Sequence, residues 1–572
     1  MRNMKNVIVD IETDSLNPTK IHCIVAKDIQ TSQVLVWDDH NLNQFKDWTT
    51  TVDKFIMHNG VSFDAPALNR LLSTNIKLSQ IKDTMIMSQL FDPVREKGHS
   101  LSAWGDRVGF CKMECDNFSE YTEEMLEYCK NDVCKMECDN FSEYTEEMLE
   151  YCKNDVLLTE KVYARLNDEG KGFSSYAIDL EHKVRAIIDQ QEKNGFALDI
   201  RKAITLLSRL SDEAHSLTEW SLKEFPPTVV ELKTKTKYIP FNIGSRKQIA
   251  DRLIERGWKP THYTDKDNVI VNESVLSHIS MEEANKFARF FLLQKRIAQI
   301  QSWIDSYKDN TGKVHGRVLT LRTITGRMAH HSPNMAQIPA IRSPFGYECR
   351  DCWTVPNPHT HSLVGTDASG LELRVLASIM NDKSYTNEVL NGDVHTANMK
   401  MAGLTDRDQA KTFIYAFMYG AGPEKIGKIV GGGYETGETL IKKFLKNMPA
   451  MKRVKQNIQN VASKKHKVKG IDGRFLKIRS PHAALNTYIQ GAGAVVCKDW
   501  LVNMTQRVKQ AGLDAKLVAS IHDEYQFEVA KKDVKEFGKI SKEAIQFTEK
   551  TLELNCPLDS TWKEGETWAE TH

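Results

Sequence analysis

No apolar run in these 572 residues approaches the ~20 that a membrane-spanning helix needs, and Met1 leads into the strand-like NVIVD rather than into a secretory leader. Membrane insertion and secretion are therefore not expected, and a cytoplasmic setting is. Cysteine is scarce as well. The eleven cysteines, three of them supplied by the second copy of an internal repeat, do not suggest a disulfide framework and fit a reducing compartment. The one close pair, Cys349 and Cys352, has no second pair at zinc-finger spacing, so no structural zinc is expected. Net charge is nearly absent too, at +1.

What is present is a chain with 41% apolar and 27% charged residues, the balance of a globular protein, and long enough for several domains. The small net charge hides a division. Residues 1–175 carry 19 Lys and Arg against 30 Asp and Glu, a net of −11, whereas the remainder carries 58 against 46, a net of +12. Solvated faces of opposite sign would give this asymmetry without any function. A basic surface that neutralises phosphates is the functional alternative.

The segment CKMECDNFSEYTEEMLEYCKNDV fills residues 111–133 and recurs without a difference at 134–156. Such identity means a duplication too recent to have drifted, or a cloning or assembly event. A continuous helix cannot absorb it, because 23 extra residues would turn everything beyond them by about 140°. The extra copy is expected to form a surface excursion, with CDNFSE supplying turn chemistry.

In the acidic half, VIVDIETDSL ends a β-branched run with Asp10 and Glu12, two residues apart and so on one face of a strand. A solvent-facing pair is the ordinary reading of Asp-x-Glu. The chemical alternative is a divalent cation, because hard oxygen ligands hold Mg²⁺ or Mn²⁺ while phosphate oxygens complete the shell. HNGVSFD then brings Asn59 and Asp64, and YCKND brings a Tyr-x-x-x-Asp on a helical stretch, first as Tyr128 and Asp132 and again as Tyr151 and Asp155. The order and spacing of these elements resemble the DnaQ-like 3′→5′ exonuclease family. The resemblance implies that Asp10, Glu12, Asp64 and one late Asp hold two metal ions ~4 Å apart, with the late Tyr orienting the attacking water. Asp155 with Tyr151 is favoured, because apolar residues at 157, 158, 162, 163 and 166 follow it at helical spacing. Asp132 with Tyr128 is the alternative, followed by a far poorer stretch.

In the basic half, DLEHKVRAIIDQQEKNGFALD reads as an amphipathic helix stopped by Asn194-Gly195, with a domain boundary near 175. Residues 201–305 are mainly helical in pattern, interrupted by a loop-rich stretch over 224–250. TITGRMAHHSPNMAQIP reads as a loop carrying Arg327. In HSLVGTDASGLELRVLAS a strand delivers Asp367 to a strand-to-helix junction, and LVASIHDEYQFEV reads as a hairpin presenting Asp523 and Glu524 at its turn. An isolated Asp-Glu turn is ordinarily solvated surface; with Asp367 it becomes a candidate metal pair. Between them, RDQAKTFIYAFMYGAG sets Arg407, Lys411, Tyr415 and Tyr419 four apart on one helical face. Two cations suit a triphosphate and two rings suit a base.

DASGLELR, RDQAKTFIYAFMYGAG and HDE match motifs A, B and C, and the chain resembles family A (DNA polymerase I type) DNA polymerases over nearly its whole length. NGDVHTAN, SPHAALNTYIQGAGA and the final His572 are similar to the replicative polymerases of lytic T-odd phages. The implied fold is an α/β multidomain chain, with a DnaQ/RNase H-like exonuclease domain over 1–175 and a right-hand polymerase domain over 176–572. Its thumb would span about 200–320, its palm about 321–380 and 481–572, and its fingers about 381–480. The implied activity is template-directed addition of dNMP to a primer 3′-OH with 3′→5′ proofreading, serving phage genome replication in the host cytoplasm.

By the same resemblance Asp367 and Asp523, with the Ala368 carbonyl, hold two Mg²⁺ ions, or Mn²⁺ in their place, and Glu524 supports them. His395, Arg407 and Lys411 bind the triphosphate, Tyr415 and Glu372 shape the sugar pocket, and Tyr419 meets the template. Glu372 leaves little room for a 2′-OH, and Tyr415 implies tolerance of dideoxynucleotides. Arg327, Gln337, His482, Asn486, Gln490 and His522 are implied contacts to primer-template DNA. A phage helicase-primase and a single-stranded DNA-binding protein are implied partners. Only the short segment 225–240 stands where thioredoxin-dependent phage enzymes carry a long basic insertion, so thioredoxin is not expected to bind. No 5′ nuclease domain is expected ahead of Asp10. A single-subunit RNA polymerase would share the palm carboxylates, but Glu372 and the exonuclease half speak against it. Intact Asp367, Asp523 and Lys411 speak against a nuclease with an inactive palm.

Overall fold

The computed structural model describes residues 4–110, 143–231, 234–264, 266–308 and 310–572. The first 110 residues build a sheet from β1 (Met4–Thr13), β2 (Ile21–Asp28), β3 (Val34–Trp37), β4 (Val52–Met57) and β5 (Ile81–Asp83), in the order β3-β2-β1-β4-β5. β2 is antiparallel to β1 and β3, while β4 runs parallel to β1 and β5. The centre of β1 is apolar on both faces because both are covered. Val7, Val9 and Ile11 face a core with Phe45, Phe55 and Leu68, and Ile8 faces Leu149, Cys152 and Val156.

Three helices carry the chemistry of this half: α1 (Asp64–Leu71), α2 (Thr84–Phe91) and α3 (Glu146–Glu169). Asp83 caps α2 by accepting from the Met85 and Ile86 N–H groups, and Thr145 caps α3 by accepting from Met148 N–H. α3 thus takes up the end of the second repeat copy and continues through the apolar-spaced residues beyond it. The first copy, with Tyr128, Asp132 and the expected excursion, lies outside the described residues.

α4 (Ser175–Asn194) begins at the Ser174 cap and stops at Gly195, whose φ of +62° is a left-handed conformation that favours glycine. A Cβ at Gly195 would also meet the His315 ring at 2.7 Å. α4 touches both halves. His182 Nε2 accepts from Asp83 N–H at 2.8 Å and Asp189 accepts from Ser62 Oγ at 2.8 Å, while Asn194 Nδ2 donates to Leu517 O at 2.8 Å. Glu181, fully buried, accepts from Lys498 Nζ at 2.8 Å and is ion-paired with Arg474 Nη2 at 2.7 Å.

Beyond it, α5 (Ile200–Glu224) and α6 (Glu282–Asp305) share a core through Leu210, Phe287 and Leu293. The stretch expected as loop contains a hairpin, Thr228–Glu231 paired with Thr236–Ile239. Likewise Ala329–His331 of the expected Arg327 loop is a strand, paired with Arg317–Leu319.

A second sheet consists of β6 (His361–Ala368), β7 (Ala515–Ile521), β8 (Glu524–Ala530) and β9 (Ser560–Gly565), antiparallel throughout in the order β7-β8-β6-β9. With it go α7 (Leu371–Met380), α8 (Arg407–Met418), α9 (Ala484–Gln510) and α10 (Val534–Thr551). α9 and α10 back the sheet through Trp500, Tyr525, Phe527 and Phe537, with Trp500 Nε1 donating to Ser541 O at 2.9 Å. α8 is anchored by Phe413 and Phe417, which pack on Phe444. Among the described residues no helix is long and apolar enough to cross a membrane.

Candidate active sites

The pairing of β6 with β8 sets Asp367 opposite Glu524, and Ala368 N–H donates to Asp523 O at 3.1 Å. The β7–β8 turn is the two residues His522 and Asp523, with His522 at φ +56°, the positive value that tight hairpins use. Asp523 therefore stands at the tip, but Glu524 differs from expectation by already belonging to the strand. Only 4% exposed, Glu524 accepts from Gln526 Nε2 at 2.7 Å and from Trp568 Nε1, and pairs with Arg350 at 3.5 Å and His572 Nδ1 at 2.8 Å. Burial would raise its carboxyl, but the His572 hydrogen bond and the Arg350 charge outweigh burial and hold it below the usual range.

Asp367 behaves oppositely. Burial first, then the charges of Asp523 and Glu524, push it up to about 7, and burial raises Asp523 as well. Adjacent oxygen donors whose negative charge is disfavoured by burial and repulsion fit a hard divalent cation, which would relieve both.

These carboxylates open into a cavity of about 350 Å³ that Glu372, Arg327, Tyr415 and Tyr419 also line. Glu372, in the first turn of α7, accepts from Arg327 Nη2 at 2.8 Å and from Tyr419 OH at 2.6 Å. Tyr419 stands one residue past the end of α8, and its ring lies 6.3 Å from that of Tyr415, which lies 6.2 Å from His395. Arg407 and Lys411 are exposed at the start of α8, and Arg407 is clasped by Asp393 through Nε at 2.7 Å and Nη2 at 3.1 Å.

Of the other expected DNA contacts, His522 lines the cavity, Asn486 and Gln490 sit one turn apart on α9 and are joined at 2.8 Å, and His482 and Gln337 are exposed. The cavity wall formed by Gly493, Ala494 and Cys497 of α9 escaped the sequence reading. Its signal was the small-residue run GAGA inside an apolar helix; a Cβ on Gly491 would meet Leu476 at 2.7 Å, whereas one on Gly493 would make ordinary contact with Leu371 at 3.7 Å.

In the first half, Asp10 and Glu12 emerge from one face of β1, and ligand atoms of Asp10, Glu12 and Cys152 lie within 4.8 Å of one another. Cys152 Sγ is 3.5 Å from Asp10 Oδ2. Two carboxylates at this spacing offer the donors of a divalent cation site; burial pushes the thiol far up and keeps it protonated. Asp155, one turn along α3 from Cys152, and Tyr151 are both buried. Asp64 is the first residue of α1, and burial, with a smaller push from Asp83, raises it to about 8. Sequence reading missed Asp83, whose carboxylate also accepts from Asn59 N–H at 3.1 Å and Val61 N–H at 3.0 Å and so fixes the loop before Asp64. An Asp between a short strand and an apolar helix was the cap signature that could have found it.

A family profile described as "3'-5' exonuclease" matches residues 1–171, and one described as "DNA polymerase family A" matches residues 214–570. The chain is 31% identical to a DNA-directed DNA polymerase of Enterobacteria phage T3 and 32% identical to one of Escherichia phage T7, each over 99% of this chain and all of the relative. DNA polymerase I of Bacillus subtilis is 26% identical over 72% of this chain and 47% of that protein. A solved structure titled "POL domain of Pol1 from M. smegmatis complex with DNA primer-template and dNTP" superposes with a TM-score of 0.77 at 17% identity, covering 99% of this chain and 95% of that one. With matching motifs, profiles and full-length relatives in agreement, the chain belongs to DNA polymerase family A and carries a 3′-5′ exonuclease domain ahead of its polymerase domain.

Proposed function

We propose that this chain extends a primer on a DNA template by two-metal phosphoryl transfer, proofreads the 3′ end in its first half, and replicates a phage genome in the host cytoplasm. The observation that carries the reading is the juxtaposition of Asp367 and Asp523 in one cavity with Glu372, Arg327 and Tyr415. Asp367, Asp523 and the Ala368 carbonyl would hold Mg²⁺, with Mn²⁺ able to replace it. Bound there, the metal supplies a primer 3′-OH of lowered pKa and neutralises charge on the triphosphate.

The chain's own side chains do the rest. His395, Arg407 and Lys411 bind the triphosphate, Tyr415 and Glu372 bound the sugar, and Tyr419 faces the template. Arg327, Gln337, His482, Asn486, Gln490 and His522 hold primer-template DNA, with Glu372 joining Arg327 to Tyr419 in the cavity wall. Residues 176–572 form the right hand, with thumb about 200–320, palm about 321–380 and 481–572, and fingers about 381–480. Glu524, braced by Arg350, Trp568 and His572, supports the hairpin that presents Asp523.

In the first half Asp10, Glu12, Asp64 and Asp155 would hold the exonuclease metals, and Tyr151 would orient the water. A helicase-primase and a single-stranded DNA-binding protein are the partners proposed. Thioredoxin is not one of them, and product lengthening on its addition would count against that statement.

The test is a labelled, mispaired primer-template with Mg²⁺. With dNTPs the parent should extend a matched primer and Asp523→Asn should not; an inactive parent would favour a nuclease with a non-catalytic palm. Without dNTPs the parent should trim the mispair and Asp155→Ala should fail. Failure of Asp132→Ala alone would transfer the role to the first repeat copy.

A further inference from the structure

Asp393 precedes the helix Val394–Ala402, beside the cation row of α8, and both of its carboxylate oxygens are heavily used. Oδ1 accepts from His395 N–H at 3.1 Å, Thr396 N–H at 3.3 Å and Arg407 Nη2 at 3.1 Å. Oδ2 accepts from Thr396 Oγ1 at 2.8 Å and Arg407 Nε at 2.7 Å. The backbone bonds are an N-cap, which any of several small polar side chains supplies. The two-toothed clasp on Arg407 is something a cap does not require.

A guanidinium fork matches carboxylate and phosphate in the same way. The Nε–Nη2 edge of Arg407 that is held by Asp393 cannot present the same two donors to a nucleotide. Arg407 and Lys411 both act on His395: burial and then their charges draw its pKa down. The acidic groups that answer them there are Asp393 and Asp408. Side chains of the Arg407–Asp393 pair are 50% and 43% exposed, so a ligand can reach them.

We propose that Asp393 is a placeholder for the triphosphate: it latches Arg407 while the nucleotide site is vacant, and an incoming polyphosphate must displace it. The inference rests on the proposed role of Arg407 as a triphosphate ligand. When Arg407 swings away, the cap bonds keep Asp393 in place, so only the guanidinium moves. A ligand with several phosphate charges also recruits Lys411 and His395 and wins the exchange, whereas a nucleoside monophosphate competes poorly. The latch therefore raises the KM for every dNTP and disfavours weakly charged nucleotides. An exposed pair of this kind is weak, which limits its effect on KM to about two- to fivefold.

Asp393→Asn and Asp393→Ser both keep a capping oxygen and remove the charge. Single-nucleotide incorporation would be measured on the full chain, alone and in an Arg407→Ala background, with pyrophosphate inhibition as a second readout. The latch requires KM for dNTP to fall about two- to fivefold in both variants, the inhibition constant of pyrophosphate to fall with it, and neither fall to occur once Arg407 is Ala. An unchanged or raised KM in the variants that keep Arg407 overturns the latch. Equal falls in both backgrounds also overturn it, because Asp393 would then act by charge alone. If Arg407→Ala by itself leaves KM for dNTP unchanged, the triphosphate role of Arg407 fails first, and that result is read without touching Asp393.

Discussion

Asp523 and Glu524 are neighbours in sequence with opposite surroundings. Asp523 sits at a hairpin tip facing a cavity, with its carboxyl raised by burial, whereas Glu524 points into a buried set of Arg350, Trp568 and His572. Their substitutions should separate accordingly. Asp523→Asn should lower primer extension about a hundredfold or more with little change in the urea unfolding midpoint. Glu524→Gln leaves Arg350 buried without its counter-charge, so it should destabilise by about 3 kcal/mol, seen as a lower urea midpoint.

Buried histidines set a second residue-scale expectation. Burial, then Arg95 and Arg107, pull His99 down to about 4, and burial, then His522 and His331, do the same to His330. A histidine neutral in the fold but titrating near ~6.5 when unfolded binds protons preferentially in the unfolded state. Its contribution is complete above about pH 6.5 and is lost as pH falls toward 4. The raised carboxyls of Asp64 and Asp367 act in the opposite sense over the same range, so the histidine is read by difference: the urea midpoint of His99→Gln relative to the parent should be constant from pH 8 to 7 and rise as pH falls below 6.5.

At the scale of elements, β6 shows what a sequence discloses and what it withholds. The strand that carries Asp367 near its end and the helix after it were legible, because an apolar run and a 3.6-residue period are local signals. The partners of Glu524 were not, because Arg350 and His572 lie far from it in sequence. The Thr228–Glu231 hairpin was missed for another reason: its residues are mostly exposed and show no alternation of buried and exposed positions. Tyr415, Lys411 and Arg407 were legible as one face, yet the Arg407–Asp393 clasp was invisible, being a contact across 14 positions.

Gly365 in β6 carries an element-scale prediction. A Cβ there would meet Thr571 O at 2.4 Å and Gln526 Nε2 at 2.6 Å, so glycine is what lets the C-terminal residues lie against the strand. Gly365→Ala should push that segment off, with about 1–3 kcal/mol of lost stability and weaker primer extension, measured together by urea unfolding and single-turnover assay.

For the whole molecule, the repeat invites a deletion. Removing 111–133 or 134–156 yields one and the same chain, in which Phe110 is followed by a single copy leading into the rest of α3. That chain should keep both mispair trimming and primer extension; loss of trimming would mean that the exonuclease requires both copies. Matches to separate family profiles at 1–171 and 214–570 leave α4 in neither. Yet Ala177 of α4 belongs to the exonuclease core, and Leu180, Val184 and Ile188 to the core behind β6 and β8.

α4 is thus a party wall, plastered on both sides. Cutting the gene where the profiles part would strip one side of it: a fragment ending at 171 loses the cover that Ala177 and His182 give, and one starting at 176 bares the apolar and polar groups that had faced the first sheet. Two profiles describe the chain as two modules, yet the helix between them is packed into the cores of both.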